Sequence, residues 1–147
     1  MYKIAIPIQT RFSDIDMNNH VNNTVYAVHV ETARVEYFKD YLKMNLNKES
    51  AFTVHFEISY KKSALFQDNL AVLLRTEEIG NSSLLMEFAV VKEDDHSTVF
   101  AQVKVKQVHF SPETGQLVRV GDAVREAVVN LEGLHKDQAY PKPLPLN

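Results

Sequence analysis

The sequence predicts an α+β fold in which one long helix packs on an antiparallel sheet, and three observations carry that reading. A short alternating run at the start is strand-like, a mostly apolar helical stretch follows it, and four more strand-like runs come after with only short turns between them. Strands joined by short turns pair antiparallel, and a lone long helix must then bury itself on a face of that sheet.

In chain order, Ile4, Ile6 and Ile8 alternate with polar or small residues, and Pro7 among them assigns this strand to an edge or an interruption. The helix covers roughly Asn22 to Leu42. At about 100° per residue, His29, Thr32, Glu36, Lys39 and Asp40 fall in one narrow polar stripe, while Tyr26, Ala27, Val28, Val30, Ala33, Val35, Tyr37, Phe38, Tyr41 and Leu42 cover nearly all the rest. Such a helix is expected to be largely enclosed, as by a curved sheet wrapped around it. Glu31 and Arg34 lie in the apolar arc one turn apart, so they are placed to pair; burying either charge alone would cost about 3–5 kcal/mol. Phe52, Val54, Phe56, Ile58 and Tyr60 alternate strictly with polar residues, the cleanest strand pattern in the chain. Further strands are expected over about Leu70 to Ile79, Leu84 to Val91 and Val99 to Phe110. In the last, Val99, Ala101, Val103 and Val105 share one parity and Val108 and Phe110 the other, which predicts a bulge near Lys106 or Gln107. After a turn at residues 111–115, a final helix is expected from an N-cap at Asp122, with Ala123, Val124, Ala127, Val128 and Leu131 on one face and an end near Gly133. Residues 1–134 read as a single domain, and 135–147, rich in proline, as an extended tail.

Composition narrows function by exclusion. The 147 residues are 45% hydrophobic, enough for one real core. A formal charge of -3 and a pI near 6.1 give no global attraction to nucleic acid. With no cysteine there is no disulfide, thiolate nucleophile or thiolate metal site, which suits a reducing, cytoplasmic setting. No apolar run reaches the length of a membrane span. Asp14-Ile15-Asp16-Met17-Asn18 opens like a calcium loop, but the glycine position holds Asn19 and the bidentate glutamate position holds Val25. The six histidines show no metal-ligand spacing, and neither a phosphate-binding glycine loop nor GxSxG is present. No metal or cofactor is expected.

What remains is Thr10 to Arg34, where two aspartates, a run of asparagines and a histidine lead straight into the helix. A helix N-terminus presents unpaired N–H donors and positive partial charge. Asp16 stands seven residues before Asn23, close enough for the loop to fold back and set a carboxylate beside the first amides of the helix. A carbonyl oxygen held by such an amide is polarised, and one donor of this kind is typically worth about 3 kcal/mol of barrier. Asp16 can then activate water or attack directly. A thioester suits so sparse a site, because its thiol, with a pKa of about 8.5, departs as thiolate without a strong general acid. The same residues also read as ordinary turn and helix caps, Tyr26 as core, and Lys61-Lys62 as a solvated loop.

Arg11-Phe12-Ser13-Asp14-Ile15-Asp16, then His20-Val21-Asn22-Asn23, Tyr26 and Glu31-Thr32-Ala33-Arg34 resemble the motif of hotdog-fold acyl-CoA thioesterases of the 4-hydroxybenzoyl-CoA thioesterase type. The likeness continues through Tyr60, Phe66-Gln67-Asp68 and Asn81-Ser82-Ser83, roughly residues 3 to 120, and extends to acyl-ACP thioesterases. The resemblance implies a long central helix wrapped by a five-stranded antiparallel sheet, with a short C-terminal helix, assembled as homodimers or homotetramers with the active site between subunits. It makes Asp16 the catalytic carboxylate and the Asn23 N–H the oxyanion donor, supported by His20, Asn22 and Glu31. Tyr60 to Asp68 of one subunit would approach Asp16 of the other, so Tyr26, Tyr60, Lys61, Lys62 and Ser63 become substrate-binding candidates. Relatives commonly carry proline and glycine where this chain has Ser63 and Gln67, and some carry a histidine at the place of Asn23. The expectation is hydrolysis of an acyl-CoA thioester; a non-catalytic acyl-binding hotdog protein, an acyl-ACP thioesterase and a hotdog hydratase are its rivals.

Overall fold

The computed structural model describes residues 1–134; the tail expected over 135–147 lies outside the described residues. The elements run β1 (Ile4–Ile8), a 3₁₀ turn (Phe12–Asp14), α1 (Asn23–Glu36), a π-helical turn (Tyr37–Tyr41), β2 (Ser50–Tyr60), β3 (Leu70–Ile79), β4 (Ser83–Lys92), β5 (Asp95–Phe110) and α2 (Asp122–Glu132). The five strands form one sheet in the order β1-β3-β4-β5-β2, every neighbouring pair antiparallel. This is the five-stranded architecture with one long and one short helix that the sequence predicts. Pro7 sits on an edge strand, as its missing N–H requires, opposite Ala71.

The helix α1 starts where Asn22 caps it and lays Tyr26, Val30 and Ala33, continued by Tyr37 and Phe38, against Ile6, Leu74, Met86, Phe88 and Val105 in one core. Its last turn widens: the Leu42 N–H reaches the Tyr37 carbonyl at 3.0 Å, five residues back. The expected all-round enclosure is not what one chain provides. The sheet covers a single side, so Val28 and Val35 stay 51% and 44% exposed, while His29, from the expected polar stripe, is buried. Among the described residues no helix is long and apolar enough to cross a membrane.

Two sheet details depart from the sequence pattern for one reason. The irregularity expected in β5 lies in the facing strand: Thr53 pairs Gln107 and His55 pairs Lys106, which leaves Val54 as the extra residue. β5 keeps its phase, and Ala101, Val103, Val105, Gln107 and His109 all point inward and are buried. Gln107 and His109 are polar residues on the core face, and each has a partner: Gln107 accepts from Arg34 and His109 pairs with Glu49. A buried polar residue is tolerated where its hydrogen bonds are made, and that partnership is invisible to an apolar-periodicity reading. The bulge also explains why Phe52 and Val54 are half exposed although Phe56 and Ile58 pack on the core.

At α2 the cap is Gly121, and Asp122 is the first helical residue, bound to Arg119 at 2.9 Å. Val124 and Val128 are buried as expected, but Ala123 is exposed and Arg125 takes the inward place. Its guanidinium donates to the carbonyls of Val120, Gly80 and Asn81 at 2.8–2.9 Å, fixing the helix to the β3–β4 turn. Gly133 closes the helix at φ +68°, with its N–H on the Val129 carbonyl.

Candidate active site at the start of the long helix

Residues 15–21 form a small hairpin. Ile15 bridges Val21, the Asp16 N–H donates to the His20 carbonyl at 2.9 Å, and the Asn22 N–H to the Asp14 carbonyl at 2.8 Å. Asn19 turns the chain at φ +61°, a conformation asparagine tolerates better than most residues. Asp16 holds this turn with one carboxylate oxygen, Oδ1, which accepts the N–H groups of Asn18 (2.9 Å) and His20 (3.2 Å). Its Oδ2 receives no hydrogen bond among the described residues. Asp14 does different work: its carboxylate accepts the Arg11 N–H at 2.8 Å and closes the 3₁₀ turn.

The start of α1 distributes its amides unevenly. Thr24 N–H goes to the Asn22 side chain at 3.0 Å and Val25 N–H to the Asn22 carbonyl at 2.9 Å. The Asn23 N–H has no acceptor among the described residues, as is usual for the first amides of a helix. The Asn23 carbonyl accepts the Tyr60 hydroxyl at 2.9 Å, and the Tyr60 ring stands edge-on to Tyr26 at 5.6 Å. Tyr26 is core: 1% exposed, its hydroxyl accepting the Ala64 N–H at 3.1 Å, with burial pushing its pKa up.

The end of β2 and the segment after it are therefore stitched to the loop within one chain. Val21 N–H donates to the Ala64 carbonyl at 2.8 Å, His20 bridges Leu65, and the Asp68 carboxylate holds the Leu65 N–H at 2.8 Å. Lys61, Lys62 and Ser63 are exposed, with the Lys61 and Lys62 amides tied to the Phe100 carbonyl. Thus Asp16, His20, Asn22, Asn23, Tyr26 and Tyr60 come together around one helix start, with Lys61 to Ser63 following directly on Tyr60.

Glu31 does not join them. It lies eight residues beyond Asn23, about 12 Å along the helix. Its carboxylate pairs with Arg34 and accepts the Thr53 hydroxyl at 3.3 Å. Arg34 in turn donates to Gln107 (2.8 Å) and the Ala51 carbonyl (3.2 Å), and Gln107 to Thr53 (2.9 Å). That network joins α1 to β2 and β5.

Sequence reasoning missed the burial of His29 and the exposure of Phe12, Met17 and Phe66. His29 is buried near Asp14 and Arg11; burial lowers its pKa, with Asp14 opposing and Arg11 adding to the shift. Its place on the helical wheel carried no such signal. Among the described residues no three His, Cys, Asp or Glu side chains converge as a metal site. Two clefts, of about 250 and 400 Å³, lie on the Tyr2–Lys104 sheet face and beside Glu132, and no residue of 10–26 lines either.

A carboxylate with one open oxygen in the loop that leads into a helix, and an amide without an acceptor at the start of that helix, are the two groups needed to activate a nucleophile against a polarised carbonyl. Known proteins resemble most of the chain. The Bacillus subtilis (strain 168) protein YsmA is 27% identical over 124 residues, 84% of this chain and 83% of YsmA. The protein PA5185 of Pseudomonas aeruginosa strain PAO1 superposes with a TM-score of 0.82 at 25% identity, over 88% of this chain and 92% of that one. A Thermus thermophilus thioesterase, solved in complex with coenzyme A and Zn, is 29% identical with a TM-score of 0.76, over 91% and 98% of the two chains. Residues 10–128 match the Thioesterase-like superfamily, and this hotdog-fold chain belongs to it.

Proposed function

We propose that this chain hydrolyses acyl-CoA thioesters to the free acid and CoA. The observation that supports the reading is an Asp16 carboxylate with a free oxygen in the loop that leads into α1, together with an Asn23 N–H at the first position of α1 that has no acceptor among the described residues. The Asn23 amide receives the thioester oxygen. Asp16 either takes a proton from water as the hydroxide adds to the carbonyl carbon, or adds itself to give an anhydride that water then opens. In both routes the C–S bond breaks and CoA leaves as thiolate. Asn22 and His20 hold the donor and the carboxylate in place through the cap and the loop amide. Glu31 acts only indirectly, by fixing α1 against the sheet.

Superfamily membership supports thioester chemistry, and the coenzyme A held by the Thermus relative supports CoA as the carrier. We assign Lys61 and Lys62 to the CoA phosphates, and Ser63, Tyr60 and the Tyr26 ring behind it to the walls of the substrate channel. We further propose a homodimer or homotetramer, supported by the open β2 edge and the half-exposed Val28 and Val35 of α1. A cysteine-free chain suits the reducing cytoplasm, where we place it.

The test is Asp16→Asn assayed over short, long and aromatic acyl-CoA esters, with acyl-ACP beside them. Turnover should fall by about 10³-fold while the folded assembly persists. Near-wild-type hydrolysis by the variant, or binding without turnover by the wild type, would end the proposal.

A further inference from the structure

Four exposed large apolar side chains, Phe12, Met17, Tyr60 and Phe66, belong to the segments that form the site. Phe12 is 86% exposed, Met17 fully exposed and Phe66 46% exposed. Phe12 and Phe66 stand edge to face at 6.3 Å. Their placement is enforced by backbone. The 3₁₀ turn, closed by Arg11 N–H to Asp14 and Asp14 N–H to the Arg11 carbonyl, fixes Phe12, while the His20–Leu65 bridge and the Val21–Ala64 hydrogen bond bring the segment carrying Phe66 alongside. Met17 adjoins Asp16 in sequence. Apolar patches held open to water in this way mark binding surfaces.

We propose that Phe12, Met17 and Phe66 form the wall that receives the acyl group, and that the chain prefers thioesters of apolar acyl chains several carbons long over acetyl or charged acyl groups. The proposal rests on the thioester-hydrolase reading and names its substrate class. The polarity around the site argues for this occupant. Lys61 and Lys62, exposed just beyond Tyr60, suit the anionic end of a ligand, and the Phe12–Phe66 pair suits an apolar end, with the Asp16 carboxylate on the Met17 loop. A molecule with phosphates at one end and a hydrocarbon at the other would use both the lysines and the rings; a subunit surface covering the rings has no need of the lysines.

Calorimetric titration of the full chain with S-octyl-CoA, a thioether that cannot be hydrolysed, and with free CoA reads the preference without any turnover. The wild type should bind the thioether at least about tenfold more tightly than CoA. Phe12→Ala, at so exposed a position, should keep the wild-type melting temperature and lose most of that advantage, and Phe12→Ala/Phe66→Ala should abolish it. Equal binding of the two ligands by the wild type overturns the proposal, as does an undiminished advantage in both variants. So does conversion of the assembly to monomers in sedimentation, which would assign the rings to a subunit contact. If the variants lose the octyl preference while the wild type turns over no acyl-CoA, the acyl wall stands and the hydrolase reading falls.

Discussion

The loop and first turn at the N-terminal end of α1 leave an amide and a carboxylate oxygen without partners among the described residues and carry exposed phenylalanine and methionine, whereas toward its C-terminal end the helix packs with a buried arginine, glutamine and histidine that each find a partner. The two ends follow opposite rules. A folded chain gains nothing in stability from an open donor or a solvated phenylalanine ring, and under the proposed function these are the groups that meet the ligand. The Glu31–Arg34–Thr53–Gln107 network and the His109–Glu49 pair are the converse, polar residues that find hydrogen-bond partners inside the protein, although Arg34 Nε and His109 Nε2 have none among the described residues. Similar residue types, read without their partners, say little about which rule applies.

Substitutions at the two ends should therefore separate activity from stability. The largest contrast sets Asp16→Asn, a loss of about 10³-fold in turnover with little change in unfolding, against Arg34→Met. That change leaves the buried Gln107 acceptor without its donor and the half-exposed Glu31 without its partner, and should cost about 1–3 kcal/mol in urea denaturation, while turnover per folded molecule stays near wild type at low temperature.

A smaller effect comes from His109, fully buried between Phe38, Glu49, Arg125 and Arg34. Burial lowers its pKa, although the hydrogen bond with Glu49 opposes the shift. The native state then binds fewer protons than the unfolded chain, whose histidine titrates at about 6.5. The stabilisation is complete above that value and is lost as pH falls from it toward the depressed native pKa. The urea midpoint should drop as pH is lowered from about 7 to about 5, and His109→Leu should flatten that slope. His29, also buried with a lowered pKa, contributes a component of the same sign from the other end of the helix, so the His109 variant keeps part of the slope.

The smallest expected change tests the site end for its structural share. Asn22→Ala removes the acceptor for the Thr24 N–H and should cost about 1 kcal/mol. If its turnover falls more than that loss of folded protein explains, the cap also orients the Asn23 amide.

The fold was legible because its signals are local. Pro7 marked an edge, the run from Leu70 to Ile79 was bounded by polar turns, and Gly133 stopped the last helix where a left-handed residue is required. What misled is non-local. Gln107 reads as a change of strand phase until Arg34, 73 residues away, is seen to donate to it. The half-buried state of α1 depends on how much of it one sheet can cover, which an apolar wheel does not encode. At the site, the motif drew attention to the loop and the helix start, which hydrogen bonds and bridges join in the structure. It also grouped Glu31 with them, because sequence proximity hides two turns of helix.

The two rims of the sheet differ in a way that bears on how copies add to one another. β1 offers five residues interrupted by a proline, and β2 offers eleven. A strand from another molecule finds a full-length template on one side only. Growth by lateral pairing therefore terminates once two long rims have met, leaving a short, proline-broken margin at each outer end, and the sheet is protected from extending into a filament.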